Sequence, residues 1–213
     1  MIEIFSNVIK TNIKLLDSSL IIQIENILDE LFEYGMPDLE AKVSFIEIFP
    51  NKKHEIYNKI KIQLYSKNEK LILDALHAIS IIIISNDEHA VELLKYISEN
   101  IKCRTEIGLD RFIESMKIIL RFKEQLFTDE ILNDLQIGLE FLLNEISINQ
   151  EDNEGIVHKK MSIKQSSSYL LIALKKYYLR QNISIPQYIN DWERMCLDVN
   201  EFSDIRNIWI NNN

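Results

Sequence analysis

Glycine and proline are scarce in this chain, four and three among 213 residues. Turn-rich β-sandwiches and barrels use many such residues, so the shortage points to helices before any pattern is read. Cysteine is nearly absent. Cys103 and Cys196 stand far apart in sequence and form neither a CxxC nor a Cys/His cluster, which excludes a disulfide scaffold and a zinc module. Two unpaired thiols in a reduced cytoplasmic setting are the expectation. Long apolar runs are missing too: the most apolar stretch, Ile79 to Ile84, is too short to cross a bilayer and ends in Ser85-Asn86-Asp87. The start, Met1-Ile2-Glu3-Ile4, lacks the basic region and cleavage site of a secretory signal. Positive charge is in deficit, with 24 Lys and Arg against 33 Asp and Glu and a net charge of −9. That balance disfavours nonspecific attraction to nucleic acid or to an anionic membrane, and it suits solubility or a basic protein partner.

What is present is the composition of a folded chain, 46% hydrophobic and 27% charged. Heavy use of Ile, Asn and Lys reads as an AT-rich bacterial coding sequence. The apolar residues recur at helical spacing almost throughout. A first helix is expected from about Ser18 to Tyr34, capped by Asp17 or Ser18, with Leu20, Ile24, Ile27, Leu28 and Leu31 on one stripe. Gly35-Met36-Pro37-Asp38 stops it, and a second helix capped by Asp38 carries Leu39, Val43, Ile46 and Phe49 until Pro50 ends it. In the second pair, a helix opened by Asn51 places Ile56, Ile60 and Leu64 inward. After Ser66-Lys67-Asn68 a longer helix carries Leu71, Ile72, Ala75, Leu76, Ile79, Ile82 and Ile83. Four consecutive isoleucines, Ile81 to Ile84, would suit a buried strand, yet they continue a helical stripe without punctuation and are expected to be helical.

The third pair, capped by Asp87, repeats the second. A shift of about 37 residues carries Ile56, Ile60 and Leu64 onto Leu93, Ile97 and Ile101. It carries the second stripe, from Ile72 onward, onto Leu109, Phe112, Ile113, Met116, Ile119 and Leu120. In a fourth pair, capped by Thr128, Leu135, Leu139 and Leu143 take the first-helix positions. Leu170, Leu171, Leu174, Tyr177 and Tyr178 take the second, after a polar loop from Asn149 to Gly155. Pro186 opens terminal helices bearing Trp192, Phe202 and Trp209. A two-helix unit repeating at this period resembles a HEAT or armadillo repeat over roughly residues 18 to 180, without the regularly placed prolines and basic residues of many HEAT repeats. The resemblance implies a binding scaffold. The expected fold is therefore all-α: one domain, 1–213, of stacked antiparallel helix pairs (about 18–49, 51–85, 87–123 and 128–181). Helices at 186–210 would cap this short α-solenoid.

Catalytic signatures do not emerge. Asp74 and His77, three apart on one helix, could face a metal, but a helical metal site needs ligands from a second helix. Cys103 lies between Lys102 and Arg104, neighbours able to lower a thiol pKa, at what reads as an ordinary helix end. Ser166-Ser167-Ser168 lacks the glycines of a nucleophile elbow and suits close helix packing. No phosphate loop, Rossmann glycine pattern or HExxH occurs, and neither a cofactor nor a metal is expected.

Charge offers the remaining candidates. Lys159, Lys160, Lys164, Lys175, Lys176 and Arg180 fall on one helix, with Lys160, Lys164 and Lys175 sharing a face. Lys102, Arg104, Arg111, Lys117, Arg121 and Lys123 cluster in the third pair. If the second-helix cations line one surface they form a groove for phosphates, with Tyr169, Tyr177 and Tyr178 placed to stack on bases or to fill the core. Acids gather as Glu25, Asp29, Glu30 and Glu33, as Asp129, Glu130, Asp134 and Glu140, and as Glu151, Asp152 and Glu154 in the loop. They could receive a basic protein, as an immunity protein receives a nuclease toxin. The leading expectation is a non-catalytic protein-binding module of a bacterial cytoplasm, docking through its helical face or the 149–155 loop. Immunity or defence falls within that class. The alternative is nucleic-acid binding through Arg111, Lys117, Arg121, Lys160, Lys164 and Lys175.

Overall fold

The computed structural model describes residues 17–33, 43, 53–84, 89–104, 107–145, 151–198 and 203–212. Among these residues there are nine α-helices and no strand. They are α1 (Ser18–Glu33), α2 (Lys53–Leu64), α3 (Glu69–Ile84), α4 (Ala90–Lys102), α5 (Leu109–Phe122), α6 (Asp129–Glu145), α7 (Glu154–Arg180), α8 (Gln187–Asp198) and α9 (Ser203–Asn212). Contacts divide the chain into two compact units, Met1–Ala90 and Val91–Asn213. Of the described helices none is long and apolar enough to cross a membrane.

In the first unit, Asp17 caps α1: its Oδ1 accepts from the Leu20 amide at 2.8 Å and from the Ser19 hydroxyl at 2.7 Å. Those bonds hold the carboxyl below its usual pKa, the Ser19 bond contributing most. The expected α1 stripe is only partly buried, because Ile24 is covered while Leu20 and Ile27 remain exposed. The helix expected around Leu39 to Phe49 and the caps Asp38, Asn51 and Asp87 lie outside the described residues, apart from Val43, which is helical and buried. A turn at 65–68 joins α2 to α3, and Asn68 caps α3 through its Oδ1, 3.0 Å from the Lys70 amide. The isoleucine run is helical, and Ile82 and Ile83 are buried, whereas Leu71 at the start of the same helix is exposed.

In the second unit, α4 ends with Arg104 in the left-handed region, φ 57°, and its amide bonds the Ile101 carbonyl. Gly108, φ 71°, opens α5. Helices α4 and α6 run parallel, since Lys95 meets Glu130, Ser98 meets Asp134 and the Ile101 backbone meets Gly138. So do α5 and α7: Asp110 bonds Ser162, Lys117 lies over the Tyr169 ring, and Arg180 reaches Glu124 just beyond α5. Between α4 and α6, Asp134 is buried and takes the Lys102 ammonium at 2.7 Å, which raises the lysine pKa chiefly through that hydrogen bond.

Helix α7 turns back into α8 through Asn182, φ 55°, whose successor Ile183 donates its amide to the Tyr178 carbonyl at 3.0 Å. That is a Schellman closure with asparagine in the left-handed position. Helix α8 then runs antiparallel to α7, with Lys175 on Glu193 and Ser168 beside Cys196. Ser167 and Ser168 are fully buried, the role expected of small residues between helices. Trp192 and Trp209 are buried completely, and the Trp192 indole N–H donates to the Leu139 carbonyl at 3.2 Å.

Every position related by the 37-residue shift is buried in both copies, from Ile56 and Leu93 through Ile83 and Leu120. In the fourth pair Leu135 and Leu139 are buried as expected, but Leu142 rather than Leu143 continues the stripe. The polar loop is shorter than expected. Asn153 caps α7, its Oδ1 accepting from the Ile156 amide at 3.0 Å, so Glu154 and Gly155 already belong to the helix. Residues 149 and 150 lie outside the described residues.

Candidate functional site

Parallel packing of α5 on α7 brings their C-terminal halves side by side and leaves a groove of about 820 Å³ between them. Its cations are Lys117 and Arg121 from α5 and Lys176 and Arg180 from α7. Its apolar wall comes from Ile118, Phe122, Ile172 and Ala173, and Tyr169 contributes a half-buried ring. Ile118 and Phe122 are one helical turn apart on α5, off the buried stripe, and Phe122 is 66% exposed. In a chain of net charge −9, four cations around a patch of exposed apolar side chains form a local reversal of sign.

Two of the four cations already have carboxylate partners. Lys117 pairs with Glu114 and also lies 4.9 Å from the centre of the Tyr169 ring. Arg180 holds Glu124 through two nitrogens, the closer at 2.6 Å. Among the described residues no carboxylate engages Arg121 or Lys176, and both side chains are exposed. The guanidinium of Arg121 leans toward the Phe122 ring at 5.6 Å. The groove can therefore accept an anionic group at two open cations while covering apolar surface between them.

Of the six cations put forward for nucleic-acid binding, Lys117 and Arg121 line this groove, joined by Lys176 and Arg180 from the wider basic run. Arg111 is exposed near the start of α5, beside Asp110. Lys160 is paired with Asp152 at 2.7 Å, Lys175 holds Glu193 at 2.8 Å, and Lys164 is buried. These three do share a face, but on α7 it is the one that carries the contacts to α8 and to Asp152. The groove residues Ala173, Lys176 and Arg180 lie roughly 120–180° around the helix from Lys164, at 100° per residue. Tyr177 and Tyr178 belong to the core, in edge-to-face contact. Lys176, Arg180 and Tyr169 were visible as part of the basic run. The missing signal was Ile118 and Phe122, apolar residues off the core stripe beside a basic one.

The acidic candidates disperse. Asp152 is nearly buried against Lys160, Glu154 sits in the first turn of α7, where it suits the helix dipole, and Glu151 is exposed. On α3, Asp74 is buried and His77 is exposed. Among the described residues no group of three His, Cys, Asp or Glu side chains is placed to hold a metal ion. Cys103 is exposed. Cys196 is buried, and burial pushes its thiol pKa up despite the nearby Ser168 hydroxyl. A smaller hollow of about 350 Å³ lined by Lys102, Arg104, Glu140 and Phe141 is partly occupied by Arg104 itself, stacked 3.7 Å over the Phe141 ring.

Comparisons with protein-family models, with curated proteins and with solved structures found no match to this chain.

Proposed function

We propose that the chain is a non-catalytic binding module built from HEAT-like stacked helix pairs, and that it engages a partner macromolecule through the α5–α7 groove. One observation carries the reading: the groove joins exposed apolar side chains to cations on the second helices of two consecutive pairs. Exposed apolar side chains set among cations offer a partner both burial and ion pairing. The repeat arrangement is supported by the burial of every shift-related position and by the parallel course of α4 with α6 and of α5 with α7. In a solenoid, equivalent helices of successive pairs run parallel.

A protein is the leading partner. Nucleic acid is the second reading, favoured by cations beside Tyr169 and Phe122 and opposed by the carboxylates that already hold Lys117 and Arg180. The full chain as bait in lysate of its own cell, compared with an Arg121→Glu/Phe122→Ser variant, tests the module. A component retained by the wild type and lost from the variant is the expected result. Equal retention by both would move the docking surface elsewhere, and no specific component would count against a binding role.

A further inference from the structure

We infer that the α5–α7 groove takes a short acidic segment of a partner protein, which lays one or two apolar side chains against Ile118, Phe122 and Ile172 and sets carboxylates on Arg121 and Lys176. This rests on the binding-module reading and names the ligand class of that site.

The wall chemistry argues for it first. Ile118 is 42% exposed and Phe122 66% exposed, and Ile172 and Ala173 extend the same apolar surface across to α7. Such surface is covered best by another apolar side chain. A nucleic acid has no aliphatic side chain to lay against Ile118 and Ile172, and a base stacking on Tyr169 would compete with the Lys117 ammonium already 4.9 Å from that ring.

The charge arithmetic points the same way. Lys117, Arg121, Lys176 and Arg180 supply four positive charges, while Glu114 and Glu124 return two, leaving a surplus of two around the groove. That surplus matches a segment with two or three acids. A polyanion charged at every residue would extend beyond the groove and meet a chain whose net charge is −9. The planar guanidinium of Arg121 suits a carboxylate held through two hydrogen bonds, and the ammonium of Lys176, on the other helix, suits a second one. Acids spaced by apolar residues are the sequence pattern that satisfies both.

Fluorescence anisotropy on the full chain tests this with three labelled probes. The first is a peptide of about a dozen residues in which Asp and Glu alternate with Leu and Phe. The second carries Asn and Gln in place of every acid, and the third is a single-stranded DNA of similar length. The acidic peptide should bind. Its affinity should fall by about tenfold or more in the amide form, in Arg121→Glu/Lys176→Glu and in Phe122→Ser. Arg194→Glu, an exposed cation on α8 outside the groove, should leave binding unchanged, and circular dichroism should show all variants equally helical.

Tighter binding of the DNA, lost in the same groove variants, would overturn the acidic-peptide inference while leaving the binding module standing. Self-association in sedimentation that the groove variants dissolve would overturn it in favour of a second copy as occupant. Failure of every probe at millimolar concentration would also overturn it, and the module itself would fall if the bait experiment had likewise found no component.

Discussion

Alanine at Gly138 should destabilise the second unit even though alanine is the better helix former. In a helix interior the exchange by itself contributes about 1 kcal/mol in favour of alanine. At Gly138 the new Cβ would stand 2.7 Å from the Ile101 carbonyl oxygen, 2.9 Å from its carbon and 3.0 Å from Cγ2 of the same residue. Two of those atoms are backbone, so α4 and α6 must separate by roughly half an ångström to restore ordinary contact. Overpacking of this kind costs about 1–3 kcal/mol. The Lys102–Asp134 and Ser98–Asp134 contacts bridge the same two helices and would weaken as they part. The net effect is a loss of about 1–2 kcal/mol, or a fall in Tm of roughly 3–8 °C. Urea unfolding followed by tryptophan fluorescence reads this directly. Trp192 and Trp209 are fully buried in this unit, and Trp192 donates to the carbonyl of Leu139, the next residue along. Gly155→Ala is the control, since a Cβ there meets only Asn153 Oδ1, at 3.4 Å, and the site is exposed. The control should be neutral or slightly stabilising. Equal stabilisation by both substitutions would mean that α4 and α6 do not approach as closely as the structure places them.

Three further outcomes are expected. Asn182→Ala should lower stability by about 1 kcal/mol, because only glycine and asparagine adopt the left-handed conformation readily, while Asn182→Gly should not; thermal unfolding of the two variants checks this. A thiol reagent should modify Cys103 rapidly and Cys196 only on unfolding, counted by mass spectrometry against denaturant concentration. Stability should decline as pH rises. Burial raises the pKa values of Cys196, Tyr178 and Tyr188, so the folded chain keeps protons that the unfolded chain releases, and stability falls above the ordinary thiol value of 9.0 and further above the phenol value of 10.0. Urea midpoints that stay level from pH 8 to 11 would refute the burial of these groups.

Several features could be read from the chain alone because they are local. Asp17, Asn68 and Thr128 cap helices where short polar side chains precede apolar periodicity, Thr128 Oγ1 standing 3.4 Å from the Ile131 amide. The start of α7 was open to the same reasoning, with Asn153 followed by Glu154, but Gly155 and the surrounding acids made the segment look like loop. A glycine near a helix start weakens the pattern without ending the helix.

Side-chain type and spacing by themselves determined that the chain is helical and which positions on α2 to α5 are apolar enough to be buried. Periodicity encodes which residues share a stripe, and burying that stripe is the dominant favourable term. Which neighbour each stripe meets was decided by tertiary packing. Lys160, Lys164 and Lys175 share a face by helical angle, yet on α7 that face carries Glu193, the buried side and Asp152. Lys176 and Arg180 lie around the other side, and only the parallel seating of α5 brings Lys117 and Arg121 up to them. Helical geometry sets angles within one element, whereas a groove exists only between two.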